Sequence, residues 1–191
     1  MENHVNTVVR SCYLRLRNLG KLRPMLTLEA SKTLALSTII SRIDNCNSVL
    51  WGLPDKQLKK LQKLQNTAAR IVTKTKCTEH ITPILQNLHW LPVSKRIDHK
   101  ILSLTYACVN DIAPVYLKEV IPLYKPSRSL RSDSVLRLCL PSVEDTNKTK
   151  YGFKAFKNSA PKLWNTLPLS IRKSNNISIF KKKLKTHLFT Q

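Results

Sequence analysis

Apolar residues recur at helical spacing along most of the chain. Between residues 3 and 19, Val5, Val8, Val9, Cys12, Tyr13 and Leu16 follow the i, i+3, i+4, i+7 pattern of one helical face, with Arg10, Arg15 and Arg17 mostly off it. Gly20 and Pro24 are expected to close this helix. Thr27 suits the N-cap of a second helix over about 28–43, although the TLALSTII stretch within it is rich in β-branched residues, which fit helices less well. Pro54 suits a first helical position, and the pattern after it is the clearest in the chain. Leu58, Leu61, Leu64, Ala68, Ala69 and Val72 form the apolar stripe, and Lys59, Lys60, Lys63 and Arg70 lie outside it. Pro83 and Pro92 bracket LQNLHWL, read as a short helix and a turn. A long helix follows over about 93–110, with Ile97, Ile101, Leu104, Thr105 and Cys108 inward, and Pro114 opens a shorter one over about 114–121.

The pattern changes from Pro122 to Lys150. KPSRSLRSDS reads as a basic loop, VLRLCLP at 135–141 as one short strand that lacks an evident partner, and EDTNKTK as an exposed turn. Helical spacing resumes with Phe153, Phe156, Ala160, Leu163 and Trp164, interrupted at Pro161. Pro168 and Ile171 precede a terminal helix over 177–189, whose apolar stripe is Ile177, Phe180, Leu184 and Leu188. These elements predict a predominantly all-α fold: two helical subdomains joined by a basic loop, with at most one short β-hairpin. The segments are 1–45, 46–121, 122–150 and 151–191. Only three glycines occur, which disfavours tight β-turns and phosphate-cradling glycine loops.

Composition adds a strong charge bias. The 191 residues carry 33 Lys and Arg against 11 Asp and Glu, a formal net charge of +22, while 42% hydrophobic content is sufficient for a core. The last acid is Asp145, and eleven basic residues follow it. Such a chain repels itself unless a polyanion offsets the charge, and nucleic acid is the expected partner. Five cysteines, Cys12, Cys46, Cys77, Cys108 and Cys139, are odd in number and form no CxxC pair, so reduced, buried thiols in an intracellular setting, nuclear or cytoplasmic, are expected. MENHVNTVVR lacks the apolar core of a signal peptide, and no apolar stretch is long enough to span a membrane.

Enzyme signatures are missing. There is no G-x-S-x-G, no G-x-x-x-x-G-K-[ST] and no G-x-G-x-x-G. The one adjacent acid pair, Glu144-Asp145, sits in a polar turn without the hydrophobic flanks of a two-metal site. Asp98 and His99 are neighbours that a helix turns away from each other. Cys77, His80 and His89 have ligand-like spacing but no evident fourth ligand, and the simpler reading has His80 capping the ITPIL turn. No metal, cofactor or catalytic residue is expected.

Phosphate contact needs exposed Lys and Arg, and three patches qualify. One is the outer face of helix 55–76, with Lys56, Lys59, Lys60, Lys63, Arg70, Lys74 and Lys76. Another is the loop carrying Lys125, Arg128 and Arg131 among serines, where arginine forks and hydroxyls suit phosphate. The third is the terminal helix with Lys181, Lys182 and Lys183. Each patch is also explained as a solvated face. Trp51, Trp90 and Trp164 are candidates for base stacking, but each sits beside Leu and Pro, which suits core packing. The FKKKLKTHLF tail also fits an anionic membrane surface or a partner groove.

SRIDNCNSVLWGLP at 41–54, ITPILQNLHWLPVSKRIDHKILSLTY at 81–106, KPSRSLRS at 125–132 and APKLWNTLP at 160–168 together resemble the C-terminal region of reverse transcriptases from non-LTR, LINE-type retrotransposons of the jockey and chicken-repeat group. The resemblance covers nearly the whole chain, in order. It implies that residues 1–45 match the end of a helical thumb and its junction, and 46–191 a mostly helical extension that handles element RNA and target DNA. The adjacent aspartates of a polymerase palm are missing, so the resemblance implies a non-catalytic piece of an RNA-directed DNA polymerase with RNA or DNA, and the upstream polymerase domains, as partners. The competing reading is a protein-interaction module, or an inert truncated remnant, whose apolar helices pack on that missing palm.

Overall fold

In the computed structural model, which describes residues 1–124, 136–140 and 155–190, the chain is predominantly all-α. It forms two compact units, Met1–Ile97 and Asp98–Gln191, with the division inside one helix.

The first unit is built on α1 (Glu2–Leu22), α2 (Leu28–Ala35), α3 (Ser41–Asp44), α4 (Asp55–Thr73), α5 (Ile81–Asn87) and the first turn of α6 (Val93–Val109). The core helix is α4, against which α1, α2 and α5 pack. Its buried positions are Leu61, Leu64, Ala68, Ala69 and Val72, the expected stripe, while Leu58 is only half-buried and Gln57 and Gln65 join the buried set. The alanines leave room for a close helix approach, and α1 meets α4 with Val5, Cys12, Leu16 and Leu19. Tyr13, expected on that face, is 47% exposed: it lies about 100° round the helix from Cys12 and falls off the stripe. Gly20 does not end α1, which continues to Leu22 before a 3-10 turn over Arg23–Met25.

Residues 28–44 form one helical run that widens to a π turn over Leu36–Ile40. Thr27 caps it as expected, its Oγ1 accepting from Ala30 N at 3.3 Å. The widening coincides with hydroxyls that compete for helix carbonyls: Thr38 Oγ1 donates to Leu34 O at 2.6 Å, and Ser41 Oγ to Ser37 O. Ala35, Ile39, Ile40 and Ile43 remain buried through the change of pitch.

Beyond α3 the chain turns through Cys46 in the left-handed region (φ 53°) and Gly52 (φ 70°) to Pro54, which stands one residue earlier than expected, as the N-cap of α4. This turn is tied to α6. Arg96 Nε donates to Asp44 Oδ1 at 2.8 Å and Nη2 pairs with Oδ2, a two-point contact, while Asn47 Nδ2 donates to Asp44 Oδ1 at 3.3 Å. The Leu91–Val93 turn is tied to α4, where Gln65 Nε2 donates to Leu91 O at 2.7 Å and Val93 N donates to Gln62 Oε1 at 2.8 Å. His80 holds the N-cap position of α5 but makes no capping hydrogen bond, correcting the expected role.

The second unit contains the rest of α6, α7 (Val115–Lys118), α8 (Phe156–Thr166), α9 (Leu169–Arg172) and α10 (Ile177–Thr190). Tyr106 stacks on Phe180 (centroids 4.3 Å apart) and donates from its hydroxyl to Ser174 O at 2.5 Å, with Trp164 tilted against the same ring at 5.9 Å. Pro161 does not interrupt α8: the helix runs through it, and the ring is buried. Leu123 supplies the partner that the short strand needed, in an isolated antiparallel bridge to Leu138. Its other edge is closed by Asn165, whose amide accepts from Leu138 N (3.1 Å) and donates to Leu138 O (3.0 Å), as a neighbouring strand would.

Cys12 and Cys108 are buried, and burial pushes both thiols above the ordinary cysteine range. Cys46 and Cys77 are exposed and Cys139 is half-buried, so the expectation of five buried thiols holds for only part of the set.

Two stability effects follow. An added Cβ at Gly20 meets nothing within 4 Å, so Gly20→Ala is expected to stabilise the folded chain by about 0.5–1 kcal/mol, read as a rise in urea midpoint at unchanged slope. Arg96→Ala leaves Asp44 without its charged donor and is expected to lower stability by about 1.5–3 kcal/mol, a loss that Arg96→Lys restores only in part because a lysine cannot make the two-point contact.

Candidate nucleic-acid interface

The face of α4 turned away from the core forms one wall of an open groove of about 720 Å³. Its lining follows one helical stripe, Lys59, Gln62, Lys63, Asn66, Thr67, Arg70, Ile71 and Lys74, completed by Thr75 and Cys77 from the chain beyond the helix. Positions three and four apart share a face, so burying the apolar stripe forces these residues outward. No acidic residue is among those lining the groove. Lys59, Lys63 and Lys74 are exposed and have no carboxylate partner among the described residues.

The groove selects among the basic residues of this helix. Lys59, Lys63, Arg70 and Lys74 line it together, whereas Lys60 turns to α1 and donates to Asn6 Oδ1 at 2.9 Å. Lys56 and Lys76 are exposed but outside the groove. Arg70 is held at one point: Nη2 donates to Glu79 O at 3.0 Å, and its Nε is enclosed without a partner. That contact folds residues 74–80 back along the helix end. The amides Gln62 and Asn66 belong to the same surface; charge patterning passed over them, although their spacing from Lys59 and Lys63 placed them there.

The C-terminal end of α4 is built with unusual chemistry. Lys74 N donates to Ile71 O and Thr75 N to Arg70 O, the paired closing bonds that place the residue after the cap in the left-handed region. Lys74 holds that position at φ 57°, ψ 32°, where glycine is preferred. Arg23 fixes the same end, donating from Nε to Val72 O and from Nη1 to Leu26 O, both at 2.8 Å.

The remaining basic candidates belong to the second unit or lie outside the described residues. Lys181, Lys182 and Lys183 are exposed on α10, outside its buried Phe180, Leu184 and Leu188, and belong to the second unit. In that unit burial, and then the proximity of Arg137, holds Arg172 below the ordinary arginine range. Lys125, Arg128 and Arg131 lie outside the described residues, as do Glu144 and Asp145. Trp90 and Trp164 are buried and unavailable for stacking, while Trp51 is half-buried. Cys77, His80 and His89 are exposed, and among the described residues no three His, Cys, Asp or Glu side chains gather as metal ligands. No described helix is long and apolar enough to cross a membrane.

A glycine relieves left-handed backbone at no steric cost, so Lys74→Gly is expected to raise stability by about 1 kcal/mol, measured as an increase in melting temperature. Comparison of the chain with known protein families, with characterised proteins and with solved structures found no match.

Proposed function

We propose that the chain binds nucleic acid through the basic groove of α4, as a non-catalytic C-terminal piece of a LINE-type reverse transcriptase. The observation that carries the binding is the convergence of Lys59, Lys63, Arg70 and Lys74 on one open surface without an acidic lining residue. Cations held together without carboxylate partners repel one another and are relieved by a polyanion. The tie to the reverse transcriptase region rests on the matched strings. Within the first unit, Asp44 of the 41–54 string pairs with Arg96 of the 81–106 string. Handling of element RNA or target DNA is then the role of this surface, and no catalytic residue is assigned.

A second reading, a protein-docking surface, is favoured by the exposed apolar residues Leu14, Leu22, Met25 and Leu28 around the α1–α2 connection, Met25 being 87% exposed. One experiment separates the two. Lys59→Glu with Lys63→Glu is expected to weaken RNA and DNA binding by about tenfold or more at 0.1 M salt, measured by fluorescence anisotropy with helix content checked by circular dichroism. A docking surface around Met25 predicts no change in either affinity.

A further inference from the structure

We infer that the α4 groove reads the phosphate backbone of a duplex and is blind to base sequence. This rests on the nucleic-acid reading above and adds to it the class of ligand.

The hydrogen-bonding valence of the lining is the first support. Reading adenine at its edge takes an amide that donates and accepts at once, and guanine is read at O6 and N7 by a guanidinium fork or by an ammonium, which as a flexible point charge serves phosphate equally well. Gln62 is engaged at both ends: Nε2 donates to Gln65 Oε1 (3.0 Å) and Asn66 Oδ1 (2.8 Å), and Oε1 accepts from Val93 N. Asn66 Oδ1 already accepts that bond, which fixes its amide and leaves Nδ2 as a donor. Thr67 Oγ1 donates to Lys63 O at 2.9 Å. Arg70 has one arm on Glu79 O and its Nε enclosed, which removes its Nε–Nη2 edge from two-point contact with a guanine. The groove therefore offers mainly donors: three ammonium groups, part of a guanidinium and the Asn66 amide. Such a set matches phosphate oxygens, which only accept.

The second support is what the lining does not contain. Single-strand binders combine a cationic groove with aromatic side chains on which bases stack. None of the residues lining this groove is aromatic. Charge density alone then decides between the two forms of nucleic acid. From Lys59 to Arg70 the helix rises about 16 Å. Over that length a duplex presents about ten charges and a single strand about five. Counterion release scales as about 0.9 per contact on duplex DNA and about 0.7 on a single strand. Four contacts at 0.1 M salt thus favour the duplex about sixfold.

The test uses fluorescence anisotropy of the full chain with GC-rich and AT-rich duplex DNA of about two helical turns, and with one strand of each alone. The groove's share is isolated as the difference between the wild type and Lys59→Gln/Lys63→Gln, because basic residues elsewhere also bind. The expected result is that the variant flattens the log–log salt slope on both duplexes by about 1.8 and lowers their affinities equally, and that the part of the affinity lost with these two contacts favours duplex over strand about 2.5-fold. The inference is overturned if that groove-dependent part favours the single strands. It is also overturned if it differs between the two duplexes by more than about fivefold, the least that one base-specific two-point contact provides. Should the variant keep the wild-type slope on all four probes, the nucleic-acid reading of the groove fails and this inference falls with it. Lys63→Arg keeps the charge and is expected to keep the slope, and a Lys63→Gln single variant, with a slope change of about 0.9, serves if the double variant loses helix content.

Discussion

The first unit depends on one constraint, the burial of a single stripe of α4. Leu61, Leu64, Ala68, Ala69 and Val72 face α1, α2 and α5, and a helix with that face fixed has no freedom left in where its other residues point. Burying about five such side chains is worth several kcal/mol in total even by conservative area accounting. The cost of crowding Lys59, Lys63, Arg70 and Lys74 on the opposite face is repulsion between screened, solvated charges, each pair worth a fraction of that. Hydrophobic burial wins, and the basic groove is its by-product.

The ties around α4 show where polar chemistry replaces packing. Gln62 and Gln65 face the Leu91–Val93 turn and satisfy backbone groups there, and Arg23 satisfies the Val72 carbonyl at the helix end. The same Gln62 fixes Asn66, so a residue that holds the fold also sets the valence of the groove. The Asp44–Arg96 pair plays a parallel part. Both side chains are partly shielded, at 32% and 20% exposure, which puts the contact above an ordinary surface pair. Lys74 adds strain to this arrangement: a lysine at a left-handed position where glycine fits better, at the rim of the groove. Local backbone preference is overridden there, and such sites tend to be functional.

Much of the fold was legible in the residues because most of it is local. Helical spacing marked α1, α4, α6 and α10 to within a few residues, since an amphipathic stripe and its flanking prolines are properties of a short stretch. The failures have specific causes. Gly20 and Pro161 read as breaks because propensity disfavours them, yet both lie inside helices, where the packing of neighbouring turns offsets about 1 kcal/mol for glycine and a lost hydrogen bond for proline. Tyr13 read as core because a one-dimensional pattern does not resolve the edge of a stripe. The strand at Leu138 found its partners in Leu123 and the Asn165 side chain, and nothing local to VLRLCLP points to either.

The candidate site divides in the same way. The sequence alone placed Lys56, Lys59, Lys60, Lys63, Arg70, Lys74 and Lys76 on one outward face, because helical periodicity determines which residues share a side. It also established the charge excess of +22. Tertiary structure decided the rest. It turned Lys60 to Asn6, docked Arg70 on Glu79 O, engaged both amides of the groove and buried Trp90 and Trp164 away from any base. Those outcomes hang on contacts between residues far apart in the chain. Gln62 meets Val93 across 31 positions and Lys60 meets Asn6 across 54, distances over which spacing carries no information and only packing does.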